Sequence, residues 1–285
     1  MSNHPSVYET VTESIIEELK HNLVPWVRPW KSVASTFPRN AISQRPYSGV
    51  NILLLWATAA EMEYTNPVWL TFKQAAGLGG TVKKGEKATA IVYASTLKKK
   101  EANDAGEEVE KNIPFLKFYN VFNLEQTCGL PEHLYVIPDA KPLGARLLHV
   151  EVFLRHVGAD IRHGGDKAYY APPEDFIALP CMENFESTAH YYATSLHEHV
   201  HHSGHPTRLN RDLAGRFGTR SYAAEELVAE LGAAFLCSFL QINAALRHAS
   251  YIASWLDLLA NDSRAIFTAA SLATKATDYL RSFSA

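Results

Sequence analysis

The chain has 285 residues, 47% of them apolar and 20% charged, with a net charge of −3, 14 prolines and 15 glycines. That balance describes a globular protein with room for two domains and excludes a collagen, a coiled coil or a disordered chain. Three scattered cysteines, Cys128, Cys181 and Cys237, exclude a disulfide framework, and no apolar run approaches the length of a membrane span. The start MSNHPSVYET lacks a charged-then-apolar signal pattern, which predicts a cytoplasmic protein with no membrane partner.

Helical spacing runs from Val7 to Lys20, followed by the proline-punctuated PWVRPW (Pro25–Trp30) and a polar, turn-like stretch from Phe37 to Gly49. A second helix is predicted from Asn51 to Met62 and a third from Phe72, ended by Gly77, Gly79 and Gly80. Ala88–Leu97 and Ile113–Phe122 read as two paired strands, with the charged KKKEANDAGEEVE between them as the tip of a long hairpin. The proline-rich run from Cys128 to Gly144 reads as a linker, so the boundary falls near residue 140 and separates domains 1–140 and 141–285.

Beyond it a helix is predicted over Ala145–Val157, short strands at Asp160–Arg162, Tyr169–Ala171 and Phe176–Leu179, and helices over Ser187–Ser203, Tyr222–Leu240, Ala245–Leu259 and Ser263–Phe283. The class is α+β, two domains, the second a small sheet in front of a helix bundle. Charge divides the same way. Between Lys20 and Lys100 there are twelve basic residues against three acidic ones, whereas from residue 126 onward thirteen face seventeen. A basic first half suggests a polyanionic partner.

The string TSLHEHVHHSGH contains H-E-x-x-H. On a helix, His197 and His201 lie four apart and point the same way, so both imidazoles can reach one metal ion. Glu198, beside the first of them, is placed to take a proton from a water as catalytic base. Downstream, SYAAEELVAELGAAFL is an apolar helix carrying three carboxylates, which a buried helix does not tolerate without partners. Glu226 is assigned as the third ligand and Glu230, one turn on, as the acceptor that orients a ligand histidine. Glu225 is the alternative third ligand, and His205 a further one. The zinc class with a third histidine fails, because Gly204 fits but position 207 is Thr. One Zn2+ is expected, with Mn2+ or Co2+ also compatible with this donor set.

In the first half, aromatic rings interleave with cations, as single-stranded nucleic acid requires for stacking and phosphate pairing. Trp26, Trp30, Tyr47 and Trp69 accompany Arg28, Lys31, Arg39, Arg45 and Lys73; Lys83, Lys84 and Lys87 surround Gly85; Phe115, Phe118, Tyr119 and Phe122 stand on the second strand. Core packing is the simpler reading for Trp26, Trp30 and Trp56, and a solvated hairpin tip for Lys98 to Lys100.

These residues together resemble the ArdC-type antirestriction proteins of bacterial plasmids. PWVRPW, RPYSGVN (Arg45–Asn51), Pro67–Phe72 with Gln74, and GGTVKKGEKA (Gly79–Ala88) are similar to that family's single-stranded-DNA-binding domain, shared with TraC-type primases. HEHVHHSGHPTRLNR (His197–Arg211) and YAAEELVAELGAAFLC (Tyr222–Cys237) resemble its zincin-type metallopeptidase domain. The resemblance implies binding of single-stranded DNA without sequence preference and protection of incoming plasmid DNA from host restriction during conjugation. The candidate DNA contacts are Arg39, Arg45, Tyr47, Asn51, Trp69, Lys83, Lys84 and Lys87. Two positions depart from the family pattern: 199, usually large and aliphatic, and 202, usually aromatic, are both His. Competing readings are an active peptidase acting on a DNA-bound protein or the host restriction system, and a scaffold with a structural metal. Nothing in the sequence demands more than a monomer.

Overall fold

The computed structural model describes residues 5–21, 24, 26, 37–102, 108–135, 143–213, 219–243 and 251–284. Helix α1 (Val7–Lys20) opens on a capping box, in which the Ser6 hydroxyl accepts the Glu9 N–H and the Glu9 carboxylate accepts that of Ser6. Val11, Ile15 and Leu19 then form one buried stripe. Helix α2 (Val50–Glu61) and the short α3 (Phe72–Gly77), which has its own Thr71–Gln74 capping box, follow.

A four-stranded sheet has the order β1 (Arg39–Asn40), β2 (Val68–Leu70), β5 (Glu108–Asn123), β4 (Thr89–Ala102). The β1–β2 pair is parallel and the rest antiparallel. Strands β3 (Thr81–Val82) and β6 (Thr127–Cys128) make a separate small pair. Strands β1 and β2 are short and escaped the sequence pattern, β1 because it lies in a polar stretch. The hairpin also differs from expectation. Its ladder continues through the charged excursion to Ala102 opposite Glu108, because it is made of backbone hydrogen bonds, which a charged sequence does not prevent. Its tip at 103–107, the linker core at 136–142, Trp30 and the start of the predicted Ala245 helix lie outside the described residues, as do the side chains of Lys98 to Lys100.

The second half contains α4 (Leu143–Val157) and a three-stranded sheet ordered β7 (Asp160–His163), β9 (Phe176–Leu179), β8 (Tyr169–Ala171), followed by helices α5 (Thr188–Ser203), α6 (Arg220–Phe239), α7 (Ile252–Asn261) and α8 (Ala265–Arg281). Helix α6 is buried without interruption from Glu226 to Ser238. It touches α5 at Gly232, where a Cβ would stand 2.7 Å from Val200 Cγ2. That missing side chain lets the two helices carrying the site approach closely.

The largest apolar cluster combines both halves. Val11, Ile15 and Leu19 of α1 and Ile52, Leu53 and Trp56 of α2 join residues of α4 to α8. Trp26 meets Trp255 edge to face at 5.5 Å, Trp56 meets Phe235 at 5.8 Å, and the Thr12 hydroxyl donates to the Ser263 carbonyl at 2.7 Å. Among the described residues no helix is long and apolar enough to cross a membrane.

Candidate metal centre

Helix α5 begins on Ser187, whose hydroxyl accepts the His190 N–H, and carries His197 and His201 on one face. Their Nε2 atoms lie 3.1 Å apart. From α6, Glu226 places Oε2 3.5 Å from His197 Nε2 and Oε1 3.5 Å from His201 Nε2. Donors held about 2.0–2.1 Å from one tetrahedral ion stand about 3.3 Å from each other, so these spacings fit a divalent cation. Among the described residues these three are the group of side chains able to share an ion, and all are at least largely buried.

The remaining nitrogens turn to carboxylates. His201 Nδ1 is 3.2 Å from Glu225 Oε1, and His197 Nδ1 is 3.7 Å from Glu230 Oε1. Glu225 thus stands behind His201, with Glu226 facing both Nε2 atoms. His205 is turned away, its Nδ1 2.8 Å from the Thr207 hydroxyl. Burial pushes Glu226 up, but hydrogen bonds from His197 and His201 overcome it and hold its carboxyl well below the usual range. Burial likewise opposes protonation of His201, yet Glu225 and Glu226 raise it to about 10. The cluster is built to hold positive charge.

Glu198 is buried beside this group, and burial raises its carboxyl against the pull of His197 and His201. The backbone of Tyr170 on β8 adds a smaller downward pull. A cavity of about 240 Å³ opens here, lined by His197, Glu198, His201, Tyr170, Tyr222 and Tyr251. The Tyr222 and Tyr251 hydroxyls are 3.4 Å apart, and burial raises both phenols, so they remain donors.

Two supports were not foreseen from sequence. Arg211 donates through Nε and Nη2 to Glu225 and also reaches the Ser203 hydroxyl and the Val200 carbonyl. Gly204 ends α5 with an ordinary φ of −78°, and its smallness serves Arg211, whose Nη2 a Cβ would approach to 2.9 Å. Separately, Arg208 and the Tyr170 hydroxyl both donate to Asp175, tying β8 to the end of α5. The signal for the first was the buried Glu225 itself, which demands a cation.

The two atypical histidines lie off the metal face. His199 is fully buried; its Nδ1 donates to the Ser195 carbonyl at 2.6 Å, and its Nε2 has no hydrogen-bond partner among the described residues. Burial pushes its pKa down to about 4, and that of His202 likewise. An unfolded histidine takes a proton near pH 6.5, so stability is whole above that value and is lost as pH falls toward 4. His199→Leu should therefore stabilise the fold, by about 2 kcal/mol more at pH 5 than at pH 8. Thermal melts at both pH values check this; an equal shift at each would refute it.

Of the candidate DNA contacts, Arg45, Lys83, Lys84 and Lys87 are exposed, although Lys83 Nζ donates to the Glu125 carbonyl. Tyr47 and Arg39 are half-buried. Trp69 is only 1% exposed, at the centre of its sheet, and offers no ring face to a base. The Asn51 amide is engaged with both backbone groups of Val92 at 2.8 Å, pinning α2 to β4.

Family models match both halves: one described as the N-terminal domain of anti-restriction factor ArdC over residues 5–122, the other as a zincin-like metallopeptidase over residues 148–272. The crystal structure of the ArdC antirestriction protein from plasmid R388, metal-free, superposes with a TM-score of 0.82 at 39% identity, covering 97% of each chain. Its Mn(II)-bound structure gives 0.81 at 36%, covering 99% of each. The chain belongs to the ArdC antirestriction family. A Sinorhizobium fredii protein, y4eC, is 40% identical over 96% of this chain and 91% of its own. An Escherichia coli DNA primase TraC is 37% identical over 97% of this chain, which spans 27% of the primase. The likeness of this ArdC-family chain to TraC therefore extends through the zincin-like half as well.

Proposed function

We propose that this protein binds single-stranded DNA without sequence preference and shields incoming plasmid DNA from host restriction during conjugation. In this reading its zincin-like half holds one divalent ion through His197, His201 and Glu226. The observation that carries it is the end-to-end likeness to the R388 ArdC antirestriction protein, joined to a buried donor triad of the right spacing. Two imidazoles and a carboxylate suit zinc, and the Mn(II)-bound relative makes manganese the natural competitor.

The open cavity beside Glu198 favours a second role, cleavage of DNA-associated proteins. A bound zinc ion would polarise a scissile carbonyl and acidify water. Glu198, its carboxyl raised by burial, would accept the proton of that water, and Tyr222 or Tyr251 would donate to the carbonyl oxygen.

Glu198→Gln separates the roles, because it removes the base and leaves the three ligands. Metal affinity should stay within a few-fold of wild type. If protection against restriction in a conjugation assay disappears, proteolysis is the operative activity; if it persists, binding is. Failure of the full chain to bind single-stranded oligonucleotide in anisotropy titrations across a salt series would overturn the DNA reading.

A further inference from the structure

We infer that the bases of single-stranded DNA stack on the outward face of the β4–β5 hairpin, at Tyr93 and Tyr119 with Lys117 between phosphate and ring. This rests on the single-strand reading above and gives it a surface.

The ladder pairs Tyr93 with Lys117, Ile91 with Tyr119 and Ser95 with Phe115. Side chains alternate across a strand pair, so Val92 and Leu116 point the other way, into or against the main core. Near its base the hairpin is covered on both sides, with Ile91 in a separate cluster beside Trp69. Beyond that point the ladder emerges from cover. Tyr93 is 49% and Tyr119 42% exposed, with ring centroids 5.4 Å apart and planes at 68°. Lys117 Nζ lies 5.1 Å from the Tyr119 centroid and 5.9 Å from that of Phe115.

Tyr93 and Tyr119 touch each other edge to face and stay about half exposed beside a cation. They are what a sequence-tolerant single-strand site uses, since every base has a stacking face. The charge around them suits the same occupant. The turn leading into β4 presents exposed Lys83, Lys84 and Lys87. A phosphate backbone could run from that turn along the hairpin while its bases meet the tyrosines. Trp69 and Asn51, occupied within the fold, are replaced in this role by residues that reach solvent.

The test uses the full chain and a labelled oligo(dT), titrated by anisotropy over a series of salt concentrations. The double variant Tyr93→Ala/Tyr119→Ala should bind at least about tenfold more weakly with an unchanged salt slope, because stacking releases no counterions. Lys117→Ala should flatten the slope by about 0.7. Tyr93→Phe/Tyr119→Phe should bind as wild type does, and Tyr135→Ala, an exposed ring elsewhere, should change nothing. Unimpaired binding by the folded double-alanine variant, or equal impairment by Tyr135→Ala, would overturn the platform while leaving DNA binding intact. No binding by wild type would overturn both.

Discussion

Arg211→Met should lower stability by about 3–5 kcal/mol, read by denaturant or thermal unfolding. The Arg211 side chain is 5% exposed and that of Glu225 12%. Removing the guanidinium leaves a carboxylate out of water with only His201 beside it, and strands the Ser203 hydroxyl and Val200 carbonyl contacts as well. Breaking one partner of a buried pair is costly, whereas replacing both with apolar groups often is not. The double variant Arg211→Met/Glu225→Leu should therefore regain much of the lost stability. Its metal affinity should remain about 10–100-fold below wild type, because His201 has lost the acceptor that fixes its ring. Recovery of stability and affinity together would show that Glu225 does not orient His201.

Glu226→Gln should abolish tight metal binding, reducing affinity by more than about a hundredfold with the fold retained. The substitution keeps the shape and removes the charge that faces both Nε2 atoms at 3.5 Å. Glu225→Gln and Glu230→Gln act only on the outer nitrogens and should stay within about 10–100-fold. Competition of each variant with a metal-responsive dye, for zinc and for manganese, gives the order. Wild type should prefer zinc, as imidazole-rich sites do. If Glu225→Gln proved the most damaging of the three, the third ligand would be Glu225.

The metal site was legible because it rests on short-range periodicity. A spacing of four on α5 and the buried carboxylates of α6 can be read directly along the chain, and the structure brings His197, His201 and Glu226 together. What could not be read was pairing across distance: Arg211 with Glu225, Arg208 with Asp175, and the histidine at 199 that faces the core. The first half shows the opposite limit. Composition located aromatic rings among cations, yet it could not say which side of the sheet each ring takes. Trp69 sits between layers while Tyr93, one of many tyrosines in the sequence, stands in solvent. Strand β2, three residues long and buried throughout, has no alternation to betray it.

The hydrogen bond from Thr12 to Ser263, 251 residues apart in sequence, and the contact of Tyr8 with Phe267 join α1 to the α7–α8 segment. During synthesis, α1 emerges long before these partners. At bacterial elongation rates that interval is on the order of ten seconds or longer. Until α7 leaves the ribosome, the stripe of Val11, Ile15 and Leu19 lacks its main packing partner. Synthesis of the α7–α8 segment would thus set the moment at which α1 can take its place in the fold.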